Sequence, residues 1–372
     1  MHVVVLTKRQ YTNRDVIDDR YGRLWEIPLG LAGQNCRVTC LCLSYQKRSS
    51  APLDYVDANG NSVKWISVNL GFFKVTGLLK YLYLANKIIR DERPDVIWSC
   101  SDTIYAIFGY CFSKLHKCIS IVDLYDNFEY FGSYKVPFLR GLYRKVVRES
   151  DGVSCVSESL SRHIVATYGR TKNTTVITNA VDSSVFRPMD KRECRDKLGL
   201  PQDVKIIGSA GDISNYRGAD MMYRAMLEKS AISGTVQLAV AGYRTPDTKI
   251  PNNENVHDLG MLPFADVPVF LNSLDLAIVY NRRSSFGDYC FPQKFYEMLA
   301  CHVPIVAANV GEMSLLLAGD QHLLYEDGDL ESLASAIQRQ LKERRLTGLQ
   351  IPSWQEQASL LLNQMETAFT HK

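Results

Sequence analysis

Phe291-Pro292-Gln293-Lys294-Phe295-Tyr296-Glu297-Met298-Leu299-Ala300-Cys301-His302-Val303-Pro304-Ile305-Val306-Ala307 reads as a short helix running directly into a buried strand. Pro292 sits near the first helical position, where its missing N–H does no harm. Ile305-Val306-Ala307 is an apolar run of the kind covered on both faces of a parallel sheet. Helix followed closely by buried strand is one half of an α/β unit. The amino end of such a helix offers unpaired N–H groups and the positive end of the helix dipole, which suits a diphosphate. Lys294 and Glu297 are three residues apart on one face of the first turns, so a carboxylate one turn inward can accept hydrogen bonds from ribose hydroxyls. Taken in isolation, the same spacing also describes an i, i+3 surface ion pair.

The pattern repeats in both directions. His2–Thr7, Arg37–Leu43, Asp95–Ser99, Ile119–Val122 and Gly152–Val156 are short strand-like runs, with the amphipathic stretch Tyr21–Gly33 between the first two. Val204–Ser209, Val236–Ala241, Val256–Leu259, Leu276–Tyr280 and Ile305–Ala307 form a second series. Such alternation predicts parallel sheets covered by helices. The expected architecture is α/β, two Rossmann-like domains facing across a cleft, residues 1–180 forming the first and 181–350 the second. Arg187 to Gln202, charge-rich and carrying Pro188 and Pro201, is the best linker candidate. Within residues 351–372, Trp354 to His371 places Leu360, Leu361, Met365 and Phe369 at helical spacing, and this helix is expected to fold back onto the first domain. In open sheets of this kind ligands bind beyond the carboxyl ends of the strands, so the loops after strands are where chemistry is expected.

A chain of 372 residues is long enough for two domains with separate cores. Hydrophobic residues at 46% and charged residues at 22% leave little room for a long disordered tail. A net charge of only +3 argues against a nucleic-acid partner. Met1 to Thr7, followed at once by Lys8 and Arg9, reads as a first strand rather than a signal peptide. No apolar stretch approaches the roughly 18 residues of a membrane span. A cytoplasmic protein is expected, at most peripheral at the inner face of the cell membrane. The ten cysteines lie scattered without CxxC pairs and read as reduced, buried thiols. No G-x-G-x-x-G follows a strand, which argues against a nicotinamide enzyme.

The segment from Phe291 to Ala307 resembles the nucleotide-sugar signature of the retaining family 4 glycosyltransferases, a pattern that ends in a Glu, a small-residue helix and Pro-Val-Val. Other stretches match that family in the same order. Val156-Ser157-Glu158-Ser159-Leu160 resembles its V-S-x-x-L segment, and Asn179-Ala180-Val181-Asp182 with Phe186 and Pro188 its N-G-V-D…F-x-P linker. Gly211 through Arg217-Gly218 resembles its phosphate loop, and Val256-His257-Asp258-Leu259-Gly260 followed by Asp275 its base-side strand and loop. The resemblance implies a GT-B fold and transfer of a sugar, with retention, from a nucleotide-sugar donor to a glycan or lipid-linked acceptor in cell-surface polysaccharide or glycolipid synthesis. No cofactor is implied beyond the donor, which is a substrate.

Carried over by residue, the resemblance implies that Glu297 binds the ribose and that Lys294 lies beside the diphosphate. It further implies that Arg217, at the family's lysine position, neutralises the phosphates. Gly211 would let the backbone approach them, His257 would lie on the base side, and Gly22 would stand where the family's amino-terminal glycine loop approaches the donor. Tyr289, with Asp288 beside it, occupies the place of the first Glu in the family's E-x7-E pair. Asp212 replaces an arginine, and His302 stands where the family has Gly.

In the first half the family often carries a His-Asp pair after a strand, and Asp123 stands in place of the His. Asp123, Asp126 and Glu129 put three carboxylates into seven residues. Buried carboxylates need partners, so a functional role is expected for at least one of Asp123 and Asp126. Five basic residues from Lys135 to Arg148 are interleaved with apolar ones, and Gly71 to Arg90, with Phe72, Phe73, Lys74, Lys80 and Lys87, has a similar texture. Two readings stay open for these helices: contact with an anionic membrane carrying a lipid-linked acceptor, or packing on the sheet with lysines snorkelling to solvent. The D-x-D metal site belongs to metal-dependent transferases of the other major fold, and metal-independent catalysis is expected. Two further functions stay open: a nucleotide-sugar epimerase of the same architecture, or a non-catalytic sugar-nucleotide-binding relative.

Overall fold

Runs such as Val3-Val4-Val5-Leu6 and Ile305-Val306-Ala307 have no exposed face, so each must lie in the middle of a sheet with helices on both sides. A computed structural model describes residues 1–372 except 12–13, 73, 229–235, 247 and 371–372, so Phe73 and His371 lie outside the described residues. The chain divides into two units, Met1–Asn179 with Trp354–Lys372, and Ala180–Ser353.

The first unit holds an eight-stranded sheet: β1 His2–Lys8, β2 Arg37–Ser44, β3 Leu53–Val56, β4 Ser62–Asn69, β5 Val96–Cys100, β6 Ile119–Leu124, β7 Gly152–Cys155 and β8 Thr174–Val176. The order is β8-β7-β6-β5-β1-β2-β4-β3, with only the edge strand β3 antiparallel. Helices α1 Arg23–Ala32, α2 Lys74–Glu92, α3 Thr103–His116, α4 Pro137–Glu149 and α5 Glu158–Tyr168 connect the strands. The terminal helix Trp354–Thr370 belongs to this unit: Gln364 Nε2 donates to the Val153 carbonyl at 2.9 Å, and Asn173 Nδ2 donates to the Gln364 carbonyl at 2.8 Å. Because β1 lies between β5 and β2, the strand order reverses there, and β1 and β5 flank a switch point at their carboxyl ends.

The second unit holds six parallel strands: β9 Lys205–Ile213, β10 Val236–Arg244, β11 Val256–Asp258, β12 Leu276–Val279, β13 Ile305–Ala308 and β14 Leu324–Tyr325, in the order β11-β10-β9-β12-β13-β14. Its helices are α6 Lys191–Leu198, α7 Asp220–Glu228, α8 Val267–Ser273, α9 Gln293–Ala300, α10 Glu312–Leu316 and α11 Leu330–Lys342. The switch point falls between β9 and β12.

Two expectations are corrected here. Arg187 to Gln202 is not a linker. It contains α6, capped by Asp190 Oδ1 accepting from the Glu193 amide at 3.0 Å, and it belongs to the second unit. The buried Arg195 of α6 donates to Asp275 Oδ2 at 2.7 Å and to the carbonyls of Ser273, Gln202 and Val204. A helix that buries a guanidinium looks as polar in sequence as a loop. Pro292 is the residue before α9 rather than within it, with φ −76° and ψ 93°.

Candidate functional site

At the second switch point three segments converge. The first is the end of β9 with the turn that follows. Gly211 stands at φ 115°, and a Cβ placed there would meet nothing within 4 Å, so this backbone borders open space. Its parallel partner Gly242 has no such room, because a Cβ there would come within 1.8 Å of the Gly211 carbonyl oxygen. Arg217, in the turn Asn215–Arg217, pairs with Asp212 (Nε to Oδ2 2.9 Å), and Tyr216 also donates its hydroxyl to Asp212 Oδ2 at 2.7 Å. The Asp212 carboxylate is thus engaged by both Arg217 and Tyr216. The Arg217 guanidinium also lies 4.5 Å from the centre of the Phe286 ring.

The second segment follows β12. Tyr280 is buried and donates its hydroxyl to the Asp212 carbonyl at 2.6 Å. Beyond it, Asn281 Nδ2 donates to the Gly287 carbonyl at 2.8 Å, and Gly311, at φ 55°, leaves only 2.6 Å between a Cβ and the Asp288 carbonyl oxygen. The loop carrying Asp288 and Tyr289 is thereby clamped against the start of α10. Burial pushes the Asp288 carboxyl up, against the pull of Arg283.

The third segment is α9. Lys294 Nζ lies 3.4 Å from the centre of the Tyr280 ring and makes no hydrogen bond or ion pair among the described residues. Burial and then the Arg217 charge push this ammonium down to about 7, while Asp212 and Glu297 act in the opposite sense. Glu297, one turn further along, is buried at 9% exposure. The structure thus brings together Gly211, Arg217, Lys294 and Glu297, all singled out in the sequence. Tyr280 and Phe286 were not singled out, and the signal available for Tyr280 was a polar-tipped aromatic closing an apolar strand run.

His257 does not join them. Its Nε2 is 2.6 Å from Gln237 Oε1, near the amino end of β10, so its ring turns away from the carboxyl ends of the strands. Asp275 is engaged by Lys191 (2.7 Å) and Arg195 (2.7 Å).

In the first unit the expectation for Asp123 is corrected. It lies inside β6 rather than after it, fully buried, with Arg23 Nη2 donating to its Oδ1 at 2.8 Å and Ser154 Oγ at 2.6 Å. Burial pushes this carboxyl up, against Arg23 and Ser154. Gly22 is corrected too: it precedes α1 at φ 73°, and a Cβ would meet the Tyr11 ring at 2.7 Å, so the side chain that approaches it is the protein's own. Asp126 does follow β6, accepting the Asn127 amide at 2.9 Å. Across the switch point Lys8 ends β1, with Nζ 5.6 Å from the centre of the Tyr125 ring. Burial lowers the Lys8 ammonium while Asp102 and Asp126 support it. Asp18, adjacent to Asp19, is paired with the buried Arg9 (2.7 Å). Among the described residues no group of three or more His, Cys, Asp or Glu side chains converges as for a metal ion.

On the helices of this unit, α2 buries Tyr81, Ala85, Ile88 and Ile89 and turns Val75, Leu79 and Tyr83 outward beside Lys74, Lys80 and Lys87. Similarly α4 buries Tyr143, Val146 and Val147 while Phe138 is 72% exposed next to Arg140, Arg144 and Lys145. Among the described residues no helix is long and apolar enough to cross a membrane.

Two Rossmann-like domains, each with polar side chains gathered at its switch point, are the GT-B type of fold. Sucrose-phosphate synthase of Thermosynechococcus elongatus is similar over 100% of this chain and 97% of its own, with a TM-score of 0.72 at 15% identity. Anabaena HepE, solved with UDP-glucose, is similar over 100% and 95%, with a TM-score of 0.67 at 15% identity. Residues 24–185 match the family described as Glycosyltransferase Family 4, and residues 204–343 match Glycosyl transferases group 1. The chain belongs to the family 4 glycosyltransferases. A D-inositol 3-phosphate glycosyltransferase of Stackebrandtia nassauensis is 31% identical over 219 residues, 55% of this chain and 49% of that protein. Its counterpart in Segniliparus rotundus is 27% identical over 186 residues, 47% and 40%. The chain spans about half the length of these curated relatives or less.

Proposed function

We propose that this chain transfers a sugar from a nucleotide-sugar donor to a glycan or lipid-linked acceptor, with retention and without a divalent metal. The observation that carries the reading is the unpartnered Lys294 ammonium beside Arg217 at the second switch point, at the amino end of α9 and one turn before a buried carboxylate. A half-buried cation without a counter-ion invites an anion, and helix N–H groups add to the attraction. In this reading the diphosphate lies against Gly211, Arg217 and Lys294, and Glu297 accepts the ribose hydroxyls. HepE, with UDP-glucose, and a trehalose-6-phosphate protein, with UDP-2-fluoro glucose, support a nucleotide sugar as the donor class.

The positive charge of Lys294 and Arg217 would stabilise the departing diphosphate. A diphosphate oxygen on the face of the sugar that it leaves can take the acceptor's proton, so no enzymic nucleophile is required. Asp126 would orient the acceptor at the first switch point, and Asp123 would act only by positioning Arg23 and the segment around it. The outward Val75, Leu79, Tyr83 and Phe138 are not used in packing, and with their lysine and arginine neighbours they fit the surface of an anionic membrane that presents a lipid-linked acceptor.

The test is calorimetric titration with UDP-glucose followed by transfer assays in excess EDTA. Glu297→Ala is expected to weaken nucleotide binding about tenfold to a hundredfold, the loss of a hydrogen bond to a charged group worth about 1.5–3 kcal/mol. Unchanged affinity would remove Glu297 from the site, and transfer lost in EDTA but restored by magnesium would end the metal-independent reading.

A further inference from the structure

We propose that Lys294 takes up a proton from solvent as the donor's diphosphate binds, so that donor affinity in this chain is tied to pH around neutrality. This rests on the reading of the second switch point as the donor site.

The geometry around Lys294 leaves its ammonium poorly satisfied. From β12's end the Tyr280 ring lies under it at 3.4 Å and is held in place by its own hydroxyl bond to Asp212. From the turn after β9 comes Arg217, a like charge that an arginine cannot relinquish. Of the two carboxylates that face it, Asp212 is already engaged by Arg217 and Tyr216, and Glu297 sits a turn deeper on the same helix. Cys290, in the loop before α9, is the remaining titratable neighbour.

A half-buried ammonium that has given up part of its water and gained no counter-ion has two ways to relax: release a proton or receive an anion. Without ligand, burial and Arg217 bring Lys294 to about 7, so near neutrality much of the population carries a neutral amine. Phosphate oxygens are acceptors only, and a neutral amine offers them a lone pair where an ammonium offers three N–H donors. The proton therefore adds to the Nζ lone pair when the diphosphate arrives. The sign follows: bound donor holds the Lys294 proton more tightly than the free protein does, so affinity is pH-independent well below 7. It then falls by up to about tenfold per pH unit above it, until the bound form itself titrates. Arg217 cannot produce this dependence, because it stays charged throughout.

The experiment is calorimetry of the full chain with UDP-glucose, ADP-glucose and GDP-mannose, whose diphosphate diesters do not titrate near neutrality. Each is titrated near pH 8 in HEPES and in Tris, buffers that differ in ionisation enthalpy. For whichever ligand binds, the wild type is expected to take up close to one proton per donor. Lys294→Met, which keeps the volume and removes the charge, should take up none, with pH-independent affinity lowered at least tenfold near pH 6.5. Lys294→Arg should also take up none yet keep its affinity up to about pH 8. Normal binding without uptake in the wild type, or undiminished uptake in Lys294→Met, would overturn the proposal and leave the donor reading standing. Failure of all three nucleotide sugars to bind the folded wild type would overturn the donor reading, and this proposal with it.

Discussion

His302 ends α9 at φ 54°, with its own amide donating back to the Leu299 carbonyl at 2.9 Å and the Val303 amide to Met298 at 3.1 Å. This is the left-handed helix stop that glycine enters without steric cost, which explains why the resembling family has Gly here. Its ring is exposed, so nothing about the imidazole itself is required by the turn. His302→Gly is expected to raise stability by up to about 1 kcal/mol, relief of left-handed strain being partly offset by a freer unfolded chain. Urea unfolding of the ligand-free protein measures this, and a clear loss of stability would mean that the imidazole makes a contact outweighing the strain. Asp212 and Asp123 were equally visible as departures from the family pattern, but their meaning lay in Arg217 and Arg23, one five residues away and the other 100.

Among elements, the packing of α1 against the terminal helix depends on an absent side chain. A Cβ at Gly30 would come within 2.5 Å of Ala358 Cβ, so the two helices meet where neither carries bulk. Gly30→Ala is expected to cost about 1–3 kcal/mol through overpacking, less the roughly 1 kcal/mol by which alanine favours a helix interior. Adding Ala358→Gly should restore most of the loss. Denaturant midpoints of the two single variants and the double variant form the cycle, and additive effects would show that these helices do not press on one another there. Apart from the edge strand Val256–Asp258, the strands that were read from sequence are central ones with largely apolar runs. Those that were not, Leu53–Val56, Ser62–Asn69, Thr174–Val176 and Leu324–Tyr325, are half-exposed, or only two or three residues long, and too weakly patterned to stand out from loops.

For the molecule as a whole, the basic and apolar residues of α2 and α4 carry the membrane part of the proposed function. Co-flotation with anionic phosphatidylserine vesicles is expected at low salt and should weaken as ionic strength rises, because exposed charges are screened beyond about 8–10 Å at physiological salt. Reversing Lys74, Lys80 and Lys87 to Glu should abolish flotation without changing nucleotide affinity, since none of them lies in the second unit. No binding to such vesicles even at low salt would defeat the membrane contact.

Short-range patterning alone determined the two α/β series, the helix-to-strand segment from Phe291 to Ala307 and the placement of Lys294 and Glu297 on one helical face. Those readings needed only periodicity, capping and spacing within a few residues, which are properties of the local backbone. Tertiary structure decided which of the marked residues meet. It set Tyr280 under Lys294, gave Arg217 to Asp212, buried Asp123 against Arg23, turned His257 toward Gln237 and made the supposed linker into α6. The physical reason is that a charge in a protein is defined by what compensates it when water is removed. That compensation comes from segments brought together only when the sheets close, and no local pattern records which segments those are.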